Sequence, residues 1–350
     1  MADSAPNPTE TSPTPAAAGG APSGGASTAA VEASPSGRGR SHFVSKYGLL
    51  VAFFLTVVVF CLLRPESFAT GRNLESILTL AAPSLIIAVG LTVVLVMQDF
   101  DLSFGAMIGL ATGVLTAFTV TFGWPWQLSL LALIGIAILV GVANGYMVAY
   151  LGGSSFIITL AMGTILTGVE YALTKQDTVF IGFPESFTAI ATGTLLGISN
   201  LIWLAAVIAG LIWLLLDRTE IGRYMYAIGG NAEAARLSGV RVRQLRVLGF
   251  IIVALTAAVV GLLLTSQAAG YSPNGGVAYL LPAFAAAFLG AAVFRPGEFN
   301  VPGTIVGVLF LGVIQTGLIM LDFETYVINL VQGGILIAAV LISRIGQQSQ

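Results

Sequence analysis

Ten apolar runs follow one another between residues 46 and 343, and they leave few architectures open. They lie near 46–63, 76–97, 102–122, 127–150, 155–174, 200–217, 244–269, 279–294, 303–321 and 326–343. A helix rises ~1.5 Å per residue, so about 20 residues cross the hydrocarbon core of a bilayer. Lipid offers no hydrogen bonds to the backbone, so each span must pair its own N–H and C=O groups. Only 9% of the 350 residues are charged, too few to cover a water-facing surface of this size. The expected fold is therefore all-α, a polytopic transmembrane helical bundle of about ten spans. The run near 279–294 is short and begins Leu280-Leu281-Pro282, which fits a half-helix. The stretch 183–197 holds Pro184, Glu185 and two glycines, and reads as an outside loop or an interfacial helix.

Residues 1–41 are Pro, Ala, Ser, Gly and Thr with almost no large apolar side chain, and cannot offset their ordering entropy. They are expected to be a disordered tail rather than a signal peptide, with 42–350 forming one transmembrane domain. The positive-inside rule orients that domain. With the N-terminus inside, Arg38, Arg40 and Lys46, the loop 217–246, Arg295 and Arg344 all fall on the cytoplasmic side. The expectation is a multi-pass membrane protein with both termini cytoplasmic.

Several chemistries are excluded. The lone Cys61 rules out a disulfide framework, and the lone His42 rules out a multi-histidine metal site. No catalytic residue, metal or cofactor is expected. The scattered loop charges give no nucleic-acid face. A GxxxxGK[ST] phosphate loop is absent, so any ATP-driven motor must be another polypeptide. An enzyme on lipid-linked substrates would need clustered acids, histidines or phosphate-binding bases at one face. The acids Asp217, Glu220 and Glu233 dilute the Arg-rich loop as an anion site.

Six of the twelve arginines lie in 217–246, the long polar stretch within the apolar region. Within it, Asn231 fits an N-cap, the alanines favour helix and Gly239 fits a stop. The result is a surface helix of about two turns, marginal by itself. Either a partner holds it, or it is an amphipathic helix packed on its own bundle.

Polar residues near the spans also leave alternatives. Asp99 and Asp101 sit at a predicted cytoplasmic turn that water reaches. Asp101 either caps the helix after it or takes part in gating. Glu170, near the outer end of its span, either snorkels to the interface or carries a proton. Asn144 either bonds between helices or lines a pore, and Phe156 and Thr159 either line the passage or pack. The stretch Tyr271-Ser272-Pro273-Asn274-Gly275-Gly276 lies outside, as a receiving surface or a turn. Gly109-xxx-Gly113, Gly141-xxx-Gly145 and Gly303-xxx-Gly307 fit close helix approach in lipid.

Several stretches, in order, resemble the permease subunits of ribose-type ATP-binding-cassette sugar importers. They are Gly90-Leu91-Thr92-Val93-Val94 with Asp99-Phe100-Asp101-Leu102-Ser103-Phe104-Gly105, and Asn144-Gly145 with Val148-Ala149 and Phe156-Ile157-Ile158-Thr159-Leu160. The nearest match runs from Gly222-Arg223 through Ala227-Ile228-Gly229-Gly230-Asn231 to Ala234-Ala235-Arg236-Leu237-Ser238-Gly239. The resemblance spans roughly 46–343. It implies alternating access in a dimer of permeases, with a second copy that is identical or paralogous. An ATP-binding-cassette ATPase subunit and an extracytoplasmic sugar-binding protein are the implied partners, with lipid around the bundle. Coupling to the ATPase falls on Gly230, Asn231, Glu233, Ala234, Ala235, Arg236 and Gly239. The translocation path falls on Asp101, Asn144, Phe156 and Thr159. Two departures stand out: Asp99 replaces a usual glycine, and the turn Leu289 to Asn300 is bulkier and more charged, which leaves the substrate open. The competing reading is an ion-coupled secondary transporter built on Asp99, Asp101 and Glu170.

Overall fold

The computed structural model describes residues 38–348 apart from residue 296, with side chains between 48 and 338. Residues 1–37 of the expected tail lie outside the described residues. The chain runs α1 (Arg38–Leu63), α2 (Pro65–Phe68), α3 (Gly71–Leu95), α4 (Phe104–Thr116), α5 (Trp126–Ala149), α6 (Ser155–Thr174) and α7 (Glu185–Thr192). A two-residue-stranded hairpin follows, β1 (Thr194–Leu195) and β2 (Ile198–Ser199). Then come α8 (Asn200–Arg218), α9 (Glu220–Gly230), α10 (Ala232–Leu237), α11 (Val242–Ala268), α12 (Leu280–Gly290), α13 (Val301–Met320) and α14 (Thr325–Gln348). A π turn, Ala117–Thr121, extends α4, and a 3-10 turn, Val277–Tyr279, leads into α12.

Among the described residues seven helices, α3, α4 with its π turn, α5, α6, α8, α11 and α13, are long and apolar enough to cross a membrane. The other three expected runs appear as shorter apolar helices, 48–63, 277–290 and 325–338. At 11 residues α12 reaches only about half the hydrocarbon thickness. The short run is thus a half-helix, and the stretch 183–197 contains the helix α7, which buries Phe187 and Ala191.

The core forms around α3 and α11. From Ile86 to Leu95 nearly every α3 side chain is fully buried, an all-round apolar surface with helices on several sides. By contrast α6 and α8 keep much of their apolar surface exposed, as peripheral helices in lipid would. Two glycine pairs let backbones meet. A Cβ on Gly141 would lie 2.5 Å from Ile251 Cα, and one on Gly145 2.5 Å from Val247 Cα, so α5 packs directly on α11. Gly303 and Gly307 face the backbone of Gly290 and Ala286, closing α12 on α13. The third pair does something else: Gly109 and Gly113 make room for the side chains of Glu170 and Thr174 on α6.

The turn between α12 and α13 is tied by Asn300. Its Oδ1 accepts from Gly303 N at 2.8 Å, and its Nδ2 donates to Val293 O at 3.1 Å and Glu298 O at 3.0 Å. The charge of this turn is also used locally, because Arg295 bonds Asp217 at the end of α8 at 2.9 Å.

Candidate functional site

The polar stretch 217–246 is mostly helix rather than loop. Thr219 caps α9, accepting from Gly222 N at 3.2 Å. Met225 and Ile228 are buried on one face, and Gly229 brings the helix backbone against Val96 O at the end of α3. This helix went unanticipated, although its signal, Gly222, Met225 and Ile228 at helical spacing behind a threonine cap, is present in the sequence. Tyr226 donates to Phe299 O at 3.2 Å, and burial, then the nearby Asp217 carboxylate, push its phenol up to about 12.

The expected surface helix is α10. Asn231 Oδ1 accepts from Glu233 N at 3.1 Å and Ala234 N at 3.0 Å, satisfying first-turn donors that helices leave open. It ends at Gly239, with φ +87°, where Gly239 N donates to Arg236 O and Val240 N to Ala235 O, each at 3.0 Å. A left-handed conformation costs an L-residue ~1–2 kcal/mol, so Gly239→Ala is expected to destabilise by about 1 kcal/mol. Thermal unfolding of the detergent-solubilised protein checks this, and an unchanged midpoint would contradict it. Ala235 alone is buried; Gly230, Asn231, Glu233, Ala234, Arg236 and Gly239 are exposed, and Leu237 is 77% exposed. Arg236 Nε donates to Glu233 Oε2 at 3.0 Å, which holds the Glu233 carboxyl below its ordinary range. That pairing is present above the usual carboxylate pKa and is lost as pH falls through the lowered value, so it is intact at neutral pH. Beside it lies a cavity of about 410 Å³ lined by Tyr224, Ser238, Arg241, Gln244 and Leu245.

The second candidate region lies inside the bundle. Asp99 and Asp101 are each 1% exposed, which corrects the expectation of a water-filled turn. The segment 96–103 folds into the bundle because its polar groups find partners there. Asp99 Oδ2 accepts from Arg246 Nε of α11 at 2.6 Å, and Oδ1 accepts from the same guanidinium. Asp101 Oδ1 accepts from Ser103 N at 2.8 Å and Ser103 Oγ at 2.6 Å, just ahead of α4, whose N-cap is Ser103. Ser103 Oγ in turn accepts from Asn144 Nδ2 at 2.9 Å, while Asn144 Oδ1 is buried without a partner. Thr159 Oγ1 accepts from Leu102 N at 3.0 Å, and Ser155 Oγ from Phe100 N at 3.1 Å. Asp101 and Asn144 therefore meet through Ser103, with Thr159 beside the same segment. Phe156 does not join them; it is 50% exposed on the outer side of α6. The Asp99–Arg246 pair joins residues 147 apart and has no local sequence signal.

Glu170 is buried too, 1% exposed, which corrects its reading as a snorkelling interfacial charge. Its carboxylate lies against Gly109. Oε1 accepts from Tyr271 Oη at 2.9 Å and from Asn274 N at 3.2 Å. Tyr171 Oη donates to Asn274 Oδ1 at 2.8 Å, and Thr174 Oγ1 lies 3.0 Å from Tyr271 Oη. The stretch 271–276 is thus drawn into the bundle: Tyr271 and Gly276 are buried, and only its middle is exposed.

Comparison with known proteins places these features in context. Residues 73–340 match the family model described as branched-chain amino acid transport system / permease component. The chain is 32% identical over 303 residues to the ribose import permease protein RbsC of Haemophilus influenzae, covering 86% of this chain and 93% of that protein. It is 30% identical over 304 residues to the D-allose transport system permease protein AlsC of Escherichia coli, covering 87% and 93%. It is 29% identical to the xylose transport system permease protein XylH of Escherichia coli, covering 83% and 90%. No solved structure matches.

Proposed function

We propose that this chain, which belongs to the branched-chain amino acid transport system / permease component family, is the membrane-spanning permease subunit of an ATP-driven sugar importer in a bacterial inner membrane. The family description names amino acids, but the ribose, allose and xylose permeases similar over most of its length favour a small sugar or polyol. Its partners are an ATP-binding-cassette ATPase, an extracytoplasmic sugar-binding protein and a second permease copy. The positive charge of 217–246 supports a cytoplasmic position for the end bearing α9 and α10.

One observation carries the coupling role. The helix α10 is capped at both ends, exposes Leu237 to 77%, and buries only Ala235. So short a helix gains little from its own hydrogen bonds, and the exposed leucine supplies an apolar anchor for the ATPase. Nucleotide binding shifts access only by binding one state more tightly than the other, and α10 transmits that difference. Within the bundle, Asp101, Asn144 and Thr159 flank the path, and Phe156 faces outward. Sugar selectivity rests chiefly with the binding protein.

Detergent-solubilised membranes test this by pull-down of wild type, Glu233→Arg and Gly239→Trp, with mass spectrometry of what travels with the protein. An ATPase is expected with wild type and is expected to be lost from both variants. The buried carboxylates of Asp101 and Glu170 favour an ion-coupled carrier as the competing reading. If no ATPase appears and uptake collapses with an uncoupler while ATP is held constant, that reading takes its place.

A further inference from the structure

We infer that the ion pair between Asp99 and Arg246 is the mechanical link by which movement of α10 reaches the interior segment 96–103, so that both are positioning residues for transport. The inference rests on the proposed importer function.

The connection can be followed bond by bond. From α10 the chain cannot hinge freely into α11: Ser238 N donates to Ala234 O, Gly239 N to Arg236 O and Val240 N to Ala235 O, all at 3.0 Å. Leu245 N then donates to Arg241 O at 3.2 Å, so α11 starts at once. Arg246 sits in its second turn and grips Asp99 with two guanidinium nitrogens, a planar two-point contact that fixes orientation as well as distance. Two contacts reinforce the grip on the same segment. Gly229 of α9 seats against Val96 O, and Gly249 of α11 faces the tip of Met97.

On its other side, the segment holds α6 and α5. Phe100 N and Leu102 N donate to Ser155 and Thr159 of α6, and Asp101 reaches Asn144 of α5 through Ser103. Backbone hydrogen bonds tie 96–99 to the last turn of α3, with Met97 N and Asp99 N donating to Val94 O at 3.0 and 3.1 Å, and the side-chain partners above hold 100–103. A displacement of α10 is passed by Arg246 to Asp99, and from there to the helices that flank the path.

The test uses the assembled complex of this chain, its ATPase and its binding protein in proteoliposomes, comparing wild type, Asp99→Asn, Arg246→Gln and the exchanged pair Asp99→Arg with Arg246→Asp. Sugar uptake, ATP hydrolysis and ATPase co-purification are read together. The single variants are expected to keep the ATPase bound and to hydrolyse ATP within twofold of wild type. Sugar moved per ATP is expected to fall at least tenfold, and the exchanged pair is expected to recover part of it. Unchanged sugar moved per ATP in both single variants would overturn the link. So would loss of ATPase binding in both, since that makes the pair part of the docking surface. A wild-type complex without ATP-dependent uptake would instead overturn the importer function itself.

Discussion

Gly145→Leu is expected to remove most of the folded protein from the membrane. A Cβ at this position would lie 2.5 Å from Val247 Cα and 3.1 Å from Val247 Cβ. Backbone cannot yield as the end of a flexible side chain can, so α5 would have to move away from α11. Leu133, Ala137 and Val148 of α5 and Phe250, Val253 and Ala257 of α11 all belong to the buried apolar core that this interface helps to close. Overpacking a tight core costs ~1–3 kcal/mol and occasionally more, and a branched side chain wedged against a backbone belongs at the upper end. Gly135→Leu is the control on the same helix, because nothing lies within 4 Å of a Cβ there. Fluorescence-detected size exclusion of detergent extracts after heating reads both. A monodisperse peak of wild-type height and midpoint for Gly145→Leu would refute the close approach.

The second large effect is expected at Glu170, where Ala and Gln should differ. In Glu170→Ala, Tyr271 Oη is left with Thr174 Oγ1 alone, Asn274 N loses its acceptor, and the space against Gly109 is left empty. Removing a partner from a buried polar group costs ~1–3 kcal/mol. Tyr271 bears most of this, being 1% exposed, whereas the exposed Asn274 can turn to water. Glu170→Gln keeps an acceptor of the same shape in the same place, so it should lie within about 1 kcal/mol of wild type. Hydrogen exchange localises the effect: the amide of Asn274 should exchange at least tenfold faster in Glu170→Ala and near the wild-type rate in Glu170→Gln. Equal exchange in all three proteins would show that Glu170 does not hold the segment 271–276.

Both results turn on residues whose partners are far away in sequence, and this marks where the sequence reading ended. Spans were legible because lipid imposes a length and an apolar composition, so the ten runs and the half-helix at 280–290 could be read directly. The cap at Asn231 and the stop at Gly239 were equally legible, since capping is a contact within three residues. The acids were misplaced for a related reason. Asp99, Asp101 and Glu170 stand near the ends of apolar runs, where hydropathy assigns charges to water. Asp99 and Glu170 find their hydrogen-bond partners 147 and 101 residues along the chain, and Asp101 is carried inward with the same segment as Asp99.

By itself, then, the sequence determined that this is an all-α bundle built from apolar runs, with an Arg-rich polar stretch at one end and a capped surface helix within it. These properties depend on each residue's solvent and on neighbours within one helical turn. Tertiary structure alone decided that Gly109 admits the Glu170 carboxyl and Gly113 the Thr174 side chain rather than a second helix backbone, that Asp99 is paired with Arg246, and that Tyr271 is buried against Glu170. Those outcomes depend on which helices lie side by side. Neighbours in a bundle are selected by the joint packing of every helix, which no local window contains.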